Sequence, residues 1–348
     1  MNTKFKLHAL SASLLACALG VSSNVHANAY AVATDNIKNG LIFATVNGVP
    51  QAPGNPFINF GVPASSSTSS ATLNGSGTTS NVPGPNPDAL ASNGTGSNPV
   101  RANEVTWTSP GGNVYYSATP GVNPGPLGIF GTLPTAYSWG DAIVVTEQTA
   151  TGTPIVARNA AESNIPAVGF ADANGRNDSS TTLTIPIVVG GQCGDATHLC
   201  QVDFSFLADP FIRALLDSAA ASGSVARGAL TFTITLTRVG DLVPLFAWAP
   251  DGAPGGIVGG TELADSENLN NTQQVLNPGV TQTFSGPYAS DVFLPYHALT
   301  NGLSPGNYTL GLSMVEHTDV RRVPEPASLA LLGLGLSAMA LSRRRKQV

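Results

Sequence analysis

From Ala229 to Val239 the chain alternates strictly: Leu230, Phe232, Ile234 and Leu236 are interleaved with Thr231, Thr233, Thr235 and Thr237. A period of two sends one set of side chains to a core and the other to solvent, so this stretch is predicted to be a strand with a threonine ladder on its open face. Val243–Ala249 is expected to pair with it across Gly240-Asp241. Shorter apolar or alternating runs predict strands at Leu41–Asn47, Glu104–Thr108, Val114–Ala118, Ala142–Glu147, Thr181–Val189, Gln201–Leu207, Ser290–Leu294 and Asn307–Val315. Asn47-Gly48 reads as a turn. One segment has a helical spacing instead. Asp209 is placed to cap it, Pro210 suits the first helical position, and Phe211, Leu215, Leu216 and Ala219 recur on one face up to Gly223. The pattern predicts a mainly β chain, a β-sandwich with one short helix.

Composition sharpens this picture. Charged residues are only 10%, hydrophobic residues 42%, and the chain holds 38 Gly and 26 Pro. Too much apolar surface is present for a disordered chain, and the turn formers suit many short strands. The composition shifts after residue 50. Between Gln51 and Val100 the only charged residue is Asp88, and Ser65–Ser70 and Val82–Pro87 are typical of the stretch. Residues 51–103 are therefore expected to form a linker or long loop between an N-terminal strand region, 28–50, and a sandwich body, 104–320.

The first 27 residues carry Lys4 and Lys6, then the apolar run Leu10–Val21, then Val25-His26-Ala27. That order of basic, apolar and small residues predicts a secretory signal peptide cleaved after Ala27. Leu14-Leu15-Ala16-Cys17 is also similar to a lipobox, which leaves a lipidated Cys17 as an alternative. Once the six basic residues of the leader and the C-terminal tail are set aside, nine remain against 20 or 21 acids, a body near −11 or −12. With no basic stripe, such a body is not expected to bind nucleic acid.

Cys193 and Cys200 remain after the leader is removed. In an exported chain a close, even pair predicts a disulfide, here clipping a hairpin between the two predicted strands on either side. His198 lies between them, but two thiolates and one imidazole leave a closed zinc site one ligand short.

Catalytic signatures are weak in the sequence. Gly302-Leu303-Ser304-Pro305-Gly306 has the Gly-x-Ser-x-Gly spacing but reads as the turn before the Asn307–Val315 strand, not as a strand-to-helix elbow; there is no His-Glu-x-x-His and no phosphate-cradling glycine loop, and the body has three histidines, His198, His297 and His317. Asp203, Glu147 and Glu316, on or near strands, are the acids from which a glycosidase pair would be drawn. Asp172–Asp178, Asp251-Gly252 and Asp265–Asn271 offer oxygen ligands, but the first departs from an EF-hand loop by its early glycine and by Arg176. Trp107, Tyr115, Tyr116, Trp139 and Trp248 would stack on sugars if exposed, and belong to a core if buried. No catalytic residue, metal or cofactor is assigned. The reading is a non-enzymatic structural or adhesive protein, with a carbohydrate-binding module and a glycan-active hydrolase as alternatives.

The last 28 residues, 321–348, change the picture most. Pro324-Glu325-Pro326 holds the chain extended, an apolar segment 327–342 follows, and Arg343, Arg344, Arg345 and Lys346 close it. Sixteen helical residues span about 24 Å, short of a roughly 30 Å hydrocarbon core but sufficient with snorkelling ends, and the four cations would stay cytoplasmic. The final 26 residues, Val323 to Val348, resemble the PEP-CTERM sorting signal of Gram-negative bacteria. The resemblance implies that Pro324, Glu325 and Pro326 are recognised by an inner-membrane exosortase, after export by the secretion machinery and a transient anchor in the inner membrane. It implies delivery to the cell surface or extracellular matrix, and the low charge and hydroxyl-rich composition of the body make exopolysaccharide an expected partner there. It implies nothing about the fold of the body.

Overall fold

A computed structural model describes residues 28–52, 54–84, 87–94, 104–108, 114–118, 136–146, 153–166, 173–194, 197–218, 220–284 and 293–323. The signal peptide with Ala27, the Pro324–Pro326 motif, the apolar segment and the Arg343–Lys346 stop lie outside them.

The strands in chain order are β1 (Ala29–Val46), β2 (Val49–Gln51), β3 (Ile58–Phe60), β4 (Ala64–Leu73), β5 (Ser76–Pro83), β6 (Asp88–Gly94), β7 (Glu104–Thr108), β8 (Val114–Ala118), β9 (Tyr137–Thr146), β10 (Thr153–Ile165) and β11 (Ala173–Val189). They continue as β12 (Cys200–Ala208), β13 (Phe211–Leu216), β14 (Val225–Arg238), β15 (Phe246–Trp248), β16 (Ile257–Val258), β17 (Gly260–Asp265), β18 (Thr272–Val275), β19 (Val280–Phe284), β20 (Leu294–Thr300) and β21 (Gly306–Arg322). The first sheet runs β17-β20-β12-β1-β10-β9-β6, with β2, β13 and β19 attached; the second runs β16-β15-β14-β21-β11-β4-β5, with β3 and β18 attached. All pairings are antiparallel, and the two sheets face each other across a shared core. The first strand is central to one sheet and the last strand is central to the other.

The core changes character along the strands. At the end where β21 begins it is aromatic. Phe206 stacks on Tyr296 with ring centres 5.0 Å apart and tilts against Phe232 and Trp248. At the end where β21 finishes it is small and aliphatic, built from Ala29, Ala31, Ala173, Ala226 and Val320. Between them lies a belt of buried polar side chains: Asp35, Asn159, Ser163, Asn177, Ser179, Glu316 and Thr318. Much of this belt is satisfied across the sheets. Ser163 and Thr318 hydroxyls are 3.0 Å apart, Ser69 and Ser179 3.1 Å, and Asn159 Nδ2 donates to the Met314 carbonyl at 2.8 Å.

Three expectations are corrected. No helix occurs among the described residues, and the segment after Asp209-Pro210 is β13, paired with Ala29–Thr34 of β1 and with β19. Ile212, Ala214 and Leu216 are buried on alternate positions, so a period of two was hidden under the coincidental spacing of Phe211 and Leu215. β12 and β13 form successive stretches along β1, with Pro210 in the gap, where its missing N–H breaks no ladder bond. The stretch 51–103 is not a plain linker, because it contains β3 to β6. Ser65, Ser67, Ser69 and Ala71 of β4 face the core while Ser66, Thr68 and Ser70 face outward, and β4 pairs with β11 along ten residues. Thirdly, β11 and β12 belong to different sheets, so the cysteine pair clips a crossover between layers rather than a hairpin.

Candidate functional site

The open face of the second sheet is an organised polar surface. Its outward side chains fall into register across four strands. Thr233, Ser313, Thr182 and Ser66 form one row; Thr235, Gly311 and Thr184 the next; Thr231, Val315, Ser180 and Thr68 a third. Neighbouring strands lie about 4.8 Å apart and alternate residues about 6.6 Å, so these rows present an ordered array of hydroxyls, interrupted at Gly311 and Val315. The rows are uncharged. Charge enters only towards the end of β21, where Arg176 Nε donates to Asp178 Oδ2 at 2.8 Å and His317 Nδ1 lies 2.6 Å from Asp178 Oδ1. Partial burial works against the Asp178 carboxylate, but the hydrogen bonds from His317 and Arg176 outweigh it and hold its pKa below the ordinary value.

The tail leaves from that same end without a spacer. Arg322 is still in the sheet, opposite Ala173, and the Val323 amide donates to Ser224 Oγ at 3.2 Å. Pro324 is the next residue. Among the described residues no helix is long and apolar enough to cross a membrane, and 327–342 lies outside them.

The other predicted residues are dispersed. Cys193 and Cys200 are bonded, with S–S 2.02 Å and Cα atoms 5.5 Å apart, inside the range a disulfide requires. His198 lies beside the pair but tilts against the Phe57 ring and shares a hydrogen bond with Thr197. His297 Nε2 is 2.9 Å from Asp203 Oδ1; burial pushes the Asp203 carboxyl up, and His297 only partly offsets it. Glu316 is sealed between the sheets and Glu147 lies outside the described residues, so Asp203, Glu147 and Glu316 are not brought together at an open cleft. Residues 173–178 of the candidate calcium loop are extended in β11. Asp265 Oδ2 accepts from the amides of Asp251 and Gly252, which closes that loop on itself. Among the described residues no group of three metal-ligating side chains occurs. Trp248 is core, its Nε1 donating to Glu262 at 2.7 Å, and Trp139 is buried, stacked on Tyr137 at 3.9 Å. Trp107, Tyr115 and Tyr116 lie on the β7–β8 pair, and only their backbone is described.

Sequence reasoning missed Asp35 and, although it singled out Glu316, missed that Glu316 is buried. Asp35 and Glu316 are fully buried in the polar belt, and neither carboxyl has a hydrogen-bond partner among the described residues. Burial, then the neighbouring Asp209, pushes Asp35 up to about 7; burial also raises Glu316, with Asp35 adding to it. On the outer side of the first sheet Glu162 accepts from Tyr137 Oη at 2.6 Å, yet burial still lifts it to about 8. Burial biases carboxyls of this kind towards the neutral form and closes them off from solvent. Their signal would have been an acid at a core-facing position of a strand, which shows only once the faces are assigned.

The described residues define a mainly β protein of two facing antiparallel sheets. Residues 322–346 match the PEP-CTERM protein-sorting motif. The motif implies export, a membrane-held precursor and exosortase as the processing partner. No curated protein matches the chain, and no solved structure matches it.

Proposed function

We propose that the mature body is a non-enzymatic structural or adhesive component of the cell surface or extracellular matrix, holding hydrated exopolysaccharide through the hydroxyl lattice of the second sheet. The register of Thr233, Ser313, Thr182 and Ser66 carries this reading: an uncharged array of donors and acceptors repeats at a spacing suited to many weak hydrogen bonds along an extended, neutral chain. The ring-stacking alternative is weakened because two of the three tryptophans, Trp139 and Trp248, are buried. The hydrolase alternative is weakened because the acids with the most perturbed environments, Asp35, Glu162 and Glu316, are buried away from solvent.

The test is retention of the mature protein on matrix polysaccharide from the exporting host. Replacing Thr182, Thr184, Thr233 and Thr235 together by Ala is expected to lower retention at least tenfold while the thermal midpoint stays close to the parent's. Equal retention by parent and variant, or multiple-turnover cleavage of the glycan by the parent, refutes the proposal. For the tail, intact mass of the exported protein is expected to lack everything beyond the 323–326 region. Replacing Pro324 and Pro326 by Ala is expected to leave the chain in the inner membrane.

A further inference from the structure

The connection between β14 and β15 reads Arg238-Val239-Gly240-Asp241-Leu242-Val243-Pro244-Leu245. A hairpin tip in an exported protein is ordinarily polar. Here Leu242 is 99% exposed, Val243 72% and Val239 65%, with Leu245 also exposed. Val258 adds to the patch from β16, opposite Ala247 on the adjoining strand. Single exposed aliphatic side chains are common, but five gathered at one corner form a patch of the kind that marks an interaction surface. The tip is also fixed in place. The Val239 amide donates to Asn307 O at 2.9 Å, Asp241 N to Arg238 O at 3.0 Å, Leu245 N to Leu236 O at 2.8 Å, and Arg238 Nη2 to Pro305 O at 3.0 Å. Against its base opens a groove of about 270 Å³ lined by Arg238, Asp241, Leu245, Phe246, Leu303 and Tyr308 among others.

We propose that this tip is a homophilic contact: two copies of the chain meet tip to tip, each placing Leu242 and Val243 in the groove beside the other's loop. A knob and a groove on one patch are self-complementary, which is what a closed twofold interface requires. The charges agree, since each tip carries one cation, Arg238, and one carboxylate, Asp241, and a twofold axis sets unlike charges against each other. The exposed apolar area is roughly 500–600 Å² per copy, so a pair buries on the order of 1,100 Å², at the low end for a specific interface and suited to a weak, reversible one. The groove is smaller than the roughly 300–1,000 Å³ of small-molecule sites. A lipid surface fits less well, because the loop has no basic rim to draw it to anionic headgroups. Position supports a second copy as well. The tip lies where β21 begins and the tail leaves where β21 ends, 17 residues and about 55 Å away. The tip is therefore remote from the point where the tail leaves. The inference rests on the adhesive reading and names its partner.

The test is sedimentation equilibrium of the mature protein, with Leu242→Asp and Val243→Asp as variants and Leu242→Ser as the milder one. The expected result is a concentration-dependent dimer for the parent, weakened at least tenfold in each Asp variant and less in Leu242→Ser. Thermal midpoint and polysaccharide retention stay unchanged. The Thr182/Thr184/Thr233/Thr235 variant is expected to dimerise like the parent, so unchanged polysaccharide retention in that variant with an intact dimer would sink the matrix reading and spare this one. A parent that is monomeric throughout, a dimer indifferent to Leu242→Asp, or flotation with phosphatidylcholine–phosphatidylglycerol vesicles abolished by Leu242→Asp overturns the proposal.

Discussion

Raising the pH from 5 to 8 is expected to weaken the fold, because the core holds carboxyls that ionise more easily in the unfolded chain than between the sheets. Asp35 titrates near 7 when folded, against an ordinary 3.8. Below about pH 4 both states hold the proton and the native state carries no penalty. Between 4 and 7 only the folded chain holds it, so stability falls steadily; above 7 the loss is complete. At 1.36 kcal/mol per pH unit the full loss from Asp35 is about 4 kcal/mol. Glu162, folded value about 8, acts in the same direction over a slightly higher window, and Glu316 does so too. Asp178, the opposite case, affects only the region below pH 4. Asp35→Asn removes one of the groups with little change of shape. The variant is therefore expected to exceed the parent's stability by about 4 kcal/mol at pH 8, roughly 10 °C in Tm for a body of this size, and by less than half of that at pH 5. Calorimetry of mature parent and variant at pH 5, 6.5 and 8 reads this directly. A parent Tm that is flat or rising over that range, or a variant with the parent's slope, would show that the belt is wetter than its burial implies.

Replacing Cys193 and Cys200 together by Ser should cost about 2–3 kcal/mol in denaturant unfolding, and reduction of the parent should reproduce that loss; no difference would mean the crossover is held by other contacts. Gly259 sits at φ +69°, and a Cβ there would run into the Leu245 carbonyl and the start of β15. Gly259→Ala is expected to cost several kcal/mol, visible as a sharp fall in soluble yield, and a variant with the parent's Tm would contradict this. Phe206→Ala should cost about 3–5 kcal/mol and shift Trp248 emission to the red as the aromatic end opens; unchanged emission would count against the stacking described.

Legibility followed the locality of the signal. β14 was readable because Thr and aliphatic residues alternate, so the two faces differ in kind. β4 was not, because serines occupy both its faces and the same residue type hides the period. β13 was misread since its local spacing also satisfies a helix, and what decides it is the vacant edge of β1, a feature of distant sequence. The sorting tail was legible because it is a linear motif that acts without a fold. The polar belt was not, since Asp35 and Glu316 are 281 positions apart and become neighbours only when two sheets close. The apolar tip was mistaken for part of a strand, since Val243 and Leu245 have strand character and only solvent exposure separates them from core.

The placement of the terminal strands has a consequence for how a cell would sort complete from incomplete copies. Because β21 lies between β11 and β14, every chain that stops early leaves those two strands without the partner they share, and neither half of the second sheet has anything to close upon. The motif follows one residue later. A ribosome that terminates prematurely therefore yields a product lacking its keystone strand and the sorting motif at once. Closure of the second sheet and the address lie on one stretch of chain, so a truncated copy cannot carry the address without the strand.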